Sequence, residues 1–180
     1  RDGEQIDQQE FADCVAAIAD IEVLAGVRPS YFDIMTAAAF RYFADSAVDV
    51  AVVEVGMLGR WDATNVVASD VAVITTVDLD HQALLGSDRE AIGFEKAGII
   101  KAGVPVIVGQ TQPEIQTIFS ETSSEKRALL KFADAHFRAE LLQRNLFTAE
   151  YRIWKNQKMW VENLTVDLPG SYQQTQPPTA

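Results

Sequence analysis

Val50-Ala-Val-Val-Glu54-Val-Gly-Met-Leu-Gly-Arg60-Trp-Asp62-Ala-Thr-Asn65 is a β-type apolar run that ends on one carboxylate and then opens into a glycine-bearing polar loop. In open α/β sheets ligands bind beyond the carboxyl ends of the strands, so an acid at such an end is aimed at chemistry. A solvated strand end that happens to carry Glu54 has the same local signature. On this window alone both readings stay open.

The neighbouring segments supply the layers of the fold. Upstream, Asp7 with Glu10 three residues later has the form of a capping box, and Phe11, Val15, Ile18, Ile21 and Leu24 follow at helical spacing until Gly26. Ser30 and Asp33 repeat the start signal for a second helix, rich in Ala and aromatics, that ends before Val48. Val48 to Val55 and Val71 to Thr76 are β-branched and nearly continuous, which predicts strands buried on both faces of a parallel sheet. A helix from about Asp88 to Ile100 leads to a third strand, Val104 to Val108, and Pro113 opens a helix running to about Ser123. This order predicts an α/β fold with a doubly wound, mostly parallel sheet. Beyond Ala128 shorter segments, Leu129 to Phe132, Glu150 to Trp154 and Met159 to Val166, predict a small β annex. Residues 1–127 are thus expected as the α/β portion, 128–170 as the annex and 171–180 as a frayed tail, all parts of one domain.

Composition narrows the classes of function. At 180 residues, 48% hydrophobic and 23% charged, the chain suits one ordinary globular core. The formal net charge of -11 disfavours a nucleic-acid surface, because phosphate binding needs clustered Lys and Arg. No apolar stretch approaches the length of a membrane span, and the opening residues Arg1 to Gln5 do not read as a signal peptide. The single Cys14 excludes an intrachain disulfide framework; its apolar neighbours at helical spacing predict a core thiol. A cytoplasmic setting is expected.

Several residues could carry chemistry. His81 follows the second predicted strand in Asp78-Leu-Asp80-His81, so it should project from the same sheet edge as Glu54. A carboxylate with one imidazole suits a divalent cation that keeps waters and phosphate oxygens, favouring Mg2+ over structural zinc. A hydrogen-bonded structural histidine is the alternative. Lys96 lies four residues after Ile92 and four before Ile100, on the apolar face of its helix. A lysine there either snorkels to water or leaves a nucleophilic amine open to modification, for instance by carbon dioxide to a carbamate. Asp62, Thr64 and Asn65 offer short polar side chains at the ligand edge, or else local turn chemistry. No Gly-x-x-x-x-Gly-Lys-Ser/Thr loop and no Gly-x-Gly-x-x-Gly occurs in these residues.

Five ordered motifs then converge: Ser30-Tyr-Phe-Asp33, Val53 to Asn65, Leu79-Asp-His81, Gly86 to Gly93 and Glu95 to Lys101. Together they resemble the folylpolyglutamate synthase / dihydrofolate synthase family of Mur-type ligases, over most of residues 30 to 110 and more weakly through Leu168 to Gln173. The resemblance implies an ATP-dependent amide ligase that phosphorylates a pteroate or folate carboxylate and transfers the acyl group to the amine of glutamate. It implies Mg2+ ligands at Glu54 and His81, a carbamylated lysine at Lys96, and pterin-lining positions at Ser30, Tyr31, Phe32 and Asp33 and at Trp61, Asp62 and Ala63, with Asp62 the expected polar contact. The parent enzyme is expected to be monomeric, with ATP, glutamate and a folate-type acceptor as its small-molecule partners and neither nucleic acid nor membrane among them.

The chain departs from the family pattern in three ways. Leu58 stands where a second glycine is usual, which constrains a backbone position suited to positive φ. Gln176, followed by Pro177-Pro178, stands where the family has an asparagine on the nucleotide side. The phosphate loop and the glutamate-side domain are not in the sequence, so residues 1 to 180 alone are expected to be an inactive portion of the ATPase domain, with unpaired strand edges that favour self-association. Two rivals remain: a non-catalytic binding domain that kept the fold and lost its nucleotide site, and a peptidoglycan-type Mur ligase, disfavoured by the Gly59 to Asn65 loop.

Overall fold

A computed structural model describes residues 1–77, 88–109 and 111–167. The chain divides into two compact units, Arg1–Val67 and Ala68–Ala180.

In the first unit, α1 (Gln8–Ala25) starts where Asp7 accepts hydrogen bonds from the amides of Gln9 and Glu10, and stops at Gly26 in the left-handed region. Helix α2 (Tyr31–Asp45) opens with a full capping box: Ser30 Oγ accepts from the Asp33 amide and Asp33 Oδ2 accepts from the Ser30 amide. The two helices pack on each other, with Cys14 and Ala38 buried, so the core thiol is where helical spacing placed it. The rest of the predicted apolar face of α1 is only partly covered, and Ile21 and Leu24 remain exposed. A helix with one neighbour buries a narrow stripe.

The run from Val48 to Val55 forms no ladder among the described residues, contrary to the expected buried strand. Val50 and Val52 are 80% and 94% exposed. β-branched composition supplies the propensity, but a strand exists only where a neighbour takes its amides and carbonyls, and no described segment does so here.

The second unit holds two sheets. β1 (Ala72–Ile74), β2 (Val106–Val108) and β3 (Leu130–Phe132) are parallel in the order β1-β2-β3, joined by crossovers that carry α3 (Arg89–Ala97) and α4 (Pro113–Lys126). Leu130–Phe132, expected to open the annex, is instead the third parallel strand: its residues align with Val106–Val108. Ala72, Ile74, Val106 and Val108 turn into one core with Ile92, Ile100, Ile115 and Phe119. Val73 is 41% exposed, so β1 alternates rather than being buried on both faces as its composition had suggested. At Gly93 a Cβ would stand 3.1 Å from Ile115 Cγ2, which shows how closely α3 and α4 approach.

The annex is an antiparallel sheet of β4 (Phe137–Arg144), β5 (Ala149–Lys155) and β6 (Lys158–Val166), with β5 central. Ala149, Tyr151 and Ile153 alternate inward along β5 and form its core with Phe137, Leu141, Val161 and Leu164. The expected turn at Leu168 to Gly170 and the tail beyond it lie outside the described residues.

Candidate functional site

The predicted substrate positions gather in the first unit, where Phe32 lies flat against the backbone of Gly56. A Cβ on Gly56 would stand 2.7 Å from both Cε1 and Cε2 of Phe32 and closer still to Cζ. Only glycine admits the ring there, so this contact ties the start of α2 to the loop that follows Glu54. Along α2, Phe32, Thr36, Ala39 and Phe43 share one face at helical spacing. With Met35, Phe40, Val52, Val53, Glu54 and Thr64 they line a cavity of about 260 Å3. Sequence reasoning had not gathered Met35, Phe40 and Phe43 into the site; their spacing from Phe32 along the helix was the available signal.

Glu54 is an exposed carboxylate on the edge of that cavity and makes no hydrogen bond or ion pair among the described residues. An uncommitted hard oxygen donor of this kind fits a divalent cation.

The loop after Glu54 closes on a single carboxylate. Asp62 Oδ2 accepts from the Met57 amide at 2.8 Å, and Oδ1 accepts from the Thr64 amide at 2.9 Å and from the Thr64 hydroxyl. Asp62 thereby caps a 3-10 turn, Ala63–Val66, in which Thr64 is buried. Asn65 Nδ2 donates to the Arg60 carbonyl at 2.9 Å. Burial of the Asp62 carboxyl works to raise its pKa, but the hydrogen bonds from Thr64, Met57 and Gly56 outweigh it and hold the group below the usual carboxylate value. Leu58 takes φ 61°, a left-handed conformation, and Gly59 follows at φ 147°. The position where the family usually has glycine therefore keeps a glycine-type conformation although it carries a leucine side chain.

The remaining predicted positions are distributed as follows. Ser30 and Asp33 are exposed and joined in the capping box; Tyr31 and Trp61 are 79% and 87% exposed; Ala63 is half-buried. In the second unit α3 ends at Ala97, short of the expected Ile100; Lys96 is half-buried on it one turn after the fully buried Ile92, and the buried Ile100 lies beyond the helix. His81 lies outside the described residues. Among the described residues no three His, Cys, Asp or Glu side chains cluster as a metal site, and no helix is long and apolar enough to cross a membrane.

Comparison with known proteins gives consistent likenesses, although no family model matches the chain. It is 45% identical over 117 residues to the dihydrofolate synthase/folylpolyglutamate synthase of Escherichia coli, covering 64% of this chain and 27% of that protein. It is 38% identical over 149 residues to the Bacillus subtilis protein of the same name, covering 81% of this chain and 34% of that one. The solved FPGS–AMPPCP–folate complex matches with a TM-score of 0.81 at 32% identity, covering 93% of this chain and 41% of that one. The chain thus spans about a third or less of the curated relatives. Its α/β architecture, with a parallel sheet followed by an antiparallel one, agrees with theirs, and the chain belongs to the dihydrofolate synthase/folylpolyglutamate synthase family of Mur-type ligases.

Proposed function

We propose that the protein carrying this chain is an ATP-dependent amide ligase that adds L-glutamate to dihydropteroate, to a folate, or to both. The observation that carries this reading is the 45% identity to the E. coli dihydrofolate synthase/folylpolyglutamate synthase. Binding of ATP and a folate-type acceptor is supported by the FPGS–AMPPCP–folate complex, which the chain resembles.

The reaction is read as two displacements. A carboxylate oxygen of the acceptor attacks the γ-phosphorus of ATP, forming an acyl phosphate as ADP leaves. The glutamate amine then attacks the acyl carbon, the C–O bond to phosphate breaks, and the nitrogen gives up its proton as the amide forms. Phosphoryl transfer depends mainly on positioning and charge neutralisation. Mg2+, when bound, neutralises charge on the phosphoryl oxygens. Glu54 and His81 are the residues proposed to hold it, on the family pattern and, for Glu54, on its uncommitted carboxylate. Lys96 is proposed as a carbamate: carbon dioxide adds to Nζ, an N–C bond forms and a proton is released.

In the first unit, Ser30 to Asp33 and Trp61 to Ala63 are proposed to line the pterin. Trp61 offers an exposed aromatic face suited to stacking on a flat heterocycle. Incorporation of labelled glutamate by the protein that carries this chain tests the reading. Mg-ATP-dependent product is expected with dihydropteroate or a folate, and none with a uridine-diphosphate sugar acceptor. The opposite preference would assign a peptidoglycan-type ligase.

A further inference from the structure

We propose that the hairpin end of the antiparallel sheet, where Lys155, Lys158 and Arg138 meet the exposed indole of Trp160, binds a short oligoglutamate chain. The choice of ligand rests on the reading of the parent as a glutamate ligase that can add to a folate.

β5 and β6 are joined by Asn156-Gln157, at φ 47° and 64°, the form of a two-residue hairpin turn. On either side of the turn, Lys155 and Lys158 stand directly opposite each other in the ladder. Like charges so placed repel. Neither lysine, nor Arg138 on β4, has an ion-pair partner among the described residues. No Asp or Glu occurs from Ala135 to Ala139 or from Tyr151 to Val161. The carboxylate of β4, Glu140, is engaged by Arg152 at 3.8 Å and by Trp154 Nε1 at 3.3 Å. In a chain of net charge -11, this cationic end is a local conflict of the kind that functional sites retain.

Aromatic rings hold the cations in place. Lys155 Nζ lies 5.2 Å from the ring centroid of Trp160 and 5.5 Å from that of Phe137, and the two rings pack at 5.3 Å. Arg138 Cζ lies 5.4 Å from the Trp154 centroid. A ring orients a cation without neutralising it, so the charge stays available to an anion. His136 Nδ1 lies 3.2 Å from Asn156 Oδ1, and the Asn156 amide donates to the His136 carbonyl at 2.8 Å, which ties the start of β4 to the turn. The repeated carboxylates of an oligoglutamate match this row of cations, and Trp160, 59% exposed, offers apolar surface to its methylenes. A long polyanion such as RNA would run past the hairpin onto a chain of net negative charge, whereas a short one would not.

The test titrates penta-γ-glutamate into the protein that carries this chain and reads binding by calorimetry, with free glutamate and a single-stranded RNA as comparisons. The pentamer should bind more tightly than glutamate, and less tightly as salt rises. Lys155→Gln with Lys158→Gln should weaken it roughly tenfold through loss of two exposed charge contacts, and Lys155→Arg with Lys158→Arg should retain it. Tm of the glutamine variant should be unchanged or higher, because the opposed charges are gone. Should that variant unfold, Arg138→Gln, away from the turn, gives the same reading. The proposal is overturned if the pentamer fails to bind the wild type, if the folded glutamine variant binds it equally well, or if RNA binds more tightly through the same lysines. Glutamate addition to dihydropteroate, an acceptor without a glutamate tail, should be unaltered in the glutamine variant. Pentamer binding without ligation would sink the ligase reading alone, and ligation without pentamer binding would sink the site alone.

Discussion

Phe32 and Gly56 are in face-to-backbone contact, with the ring occupying the space that any side chain at position 56 would need. The contact joins the start of α2 to the segment running from Glu54 to Asp62. Gly56→Ala should therefore displace the partly exposed Phe32 ring and destabilise the first unit by about 0.5–1.5 kcal/mol, the cost of an off-rotamer side chain. Chemical denaturation of G56A, F32A and the double variant checks this. The double variant should lose less than the sum of the singles, because removing the ring removes the clash.

Asp62 provides a pH signature. Its folded-state pKa is lowered, burial being outweighed by the hydrogen bonds from Thr64, Met57 and Gly56. A lowered pKa means that its stabilisation is fully present above the unfolded value and is lost as pH falls through the lower folded value. Acid titration of the wild type and D62N should show curves that differ near neutrality and converge in the acid range below the usual carboxylate value. Curves that stay parallel down to the lowest pH would contradict the assignment.

Leu58 at φ 61° predicts an order among substitutions. Glycine adopts this conformation freely, whereas a β-branched residue is a steric outlier there. Leu58→Val should be less stable than Leu58→Gly by on the order of 1 kcal/mol. Thermal unfolding of the two variants side by side measures the difference, and the reverse order would remove the conformational argument.

Tyr151 is fully buried in the antiparallel sheet and its hydroxyl has no hydrogen-bond partner among the described residues. Burying an unpaired hydroxyl is unfavourable, so Tyr151→Phe should leave stability unchanged or raise it by up to about 1 kcal/mol. A clear loss of stability would show that the hydroxyl is satisfied in solution.

The helices were legible because their signals are local. Asp7, Ser30 and Gly26 cap α1 and α2 where spacing predicted, and Ile92 and Lys96 lie one turn apart on α3, which ends at Ala97, short of the expected Ile100. The strands were legible only in part, because pairing is a property of two segments. Composition favoured Val48 to Val55 equally with Val71 to Thr76, yet only the latter contains a ladder strand. Leu130–Phe132 joined the parallel sheet through its register with β2, a long-range match that its three residues do not encode alone. In the site, residue types pointed to Glu54 and Asp62, but the contacts of Phe32 with Gly56 and of Asp62 with Met57 depend on chain reversal. Thr64 and Asn65 make local hydrogen bonds within the loop, as Asx and Thr side chains favour.

The most direct test of the ligase reading follows oxygen from the acceptor. Dihydropteroate labelled with 18O in its carboxylate is incubated with the protein that carries this chain, Mg-ATP and glutamate, and the released phosphate is analysed by mass spectrometry. One labelled oxygen in phosphate for each amide formed is the predicted result, because the acyl phosphate breaks at its carbon–oxygen bond. Amide formation with unlabelled phosphate, or no amide at all, would contradict it.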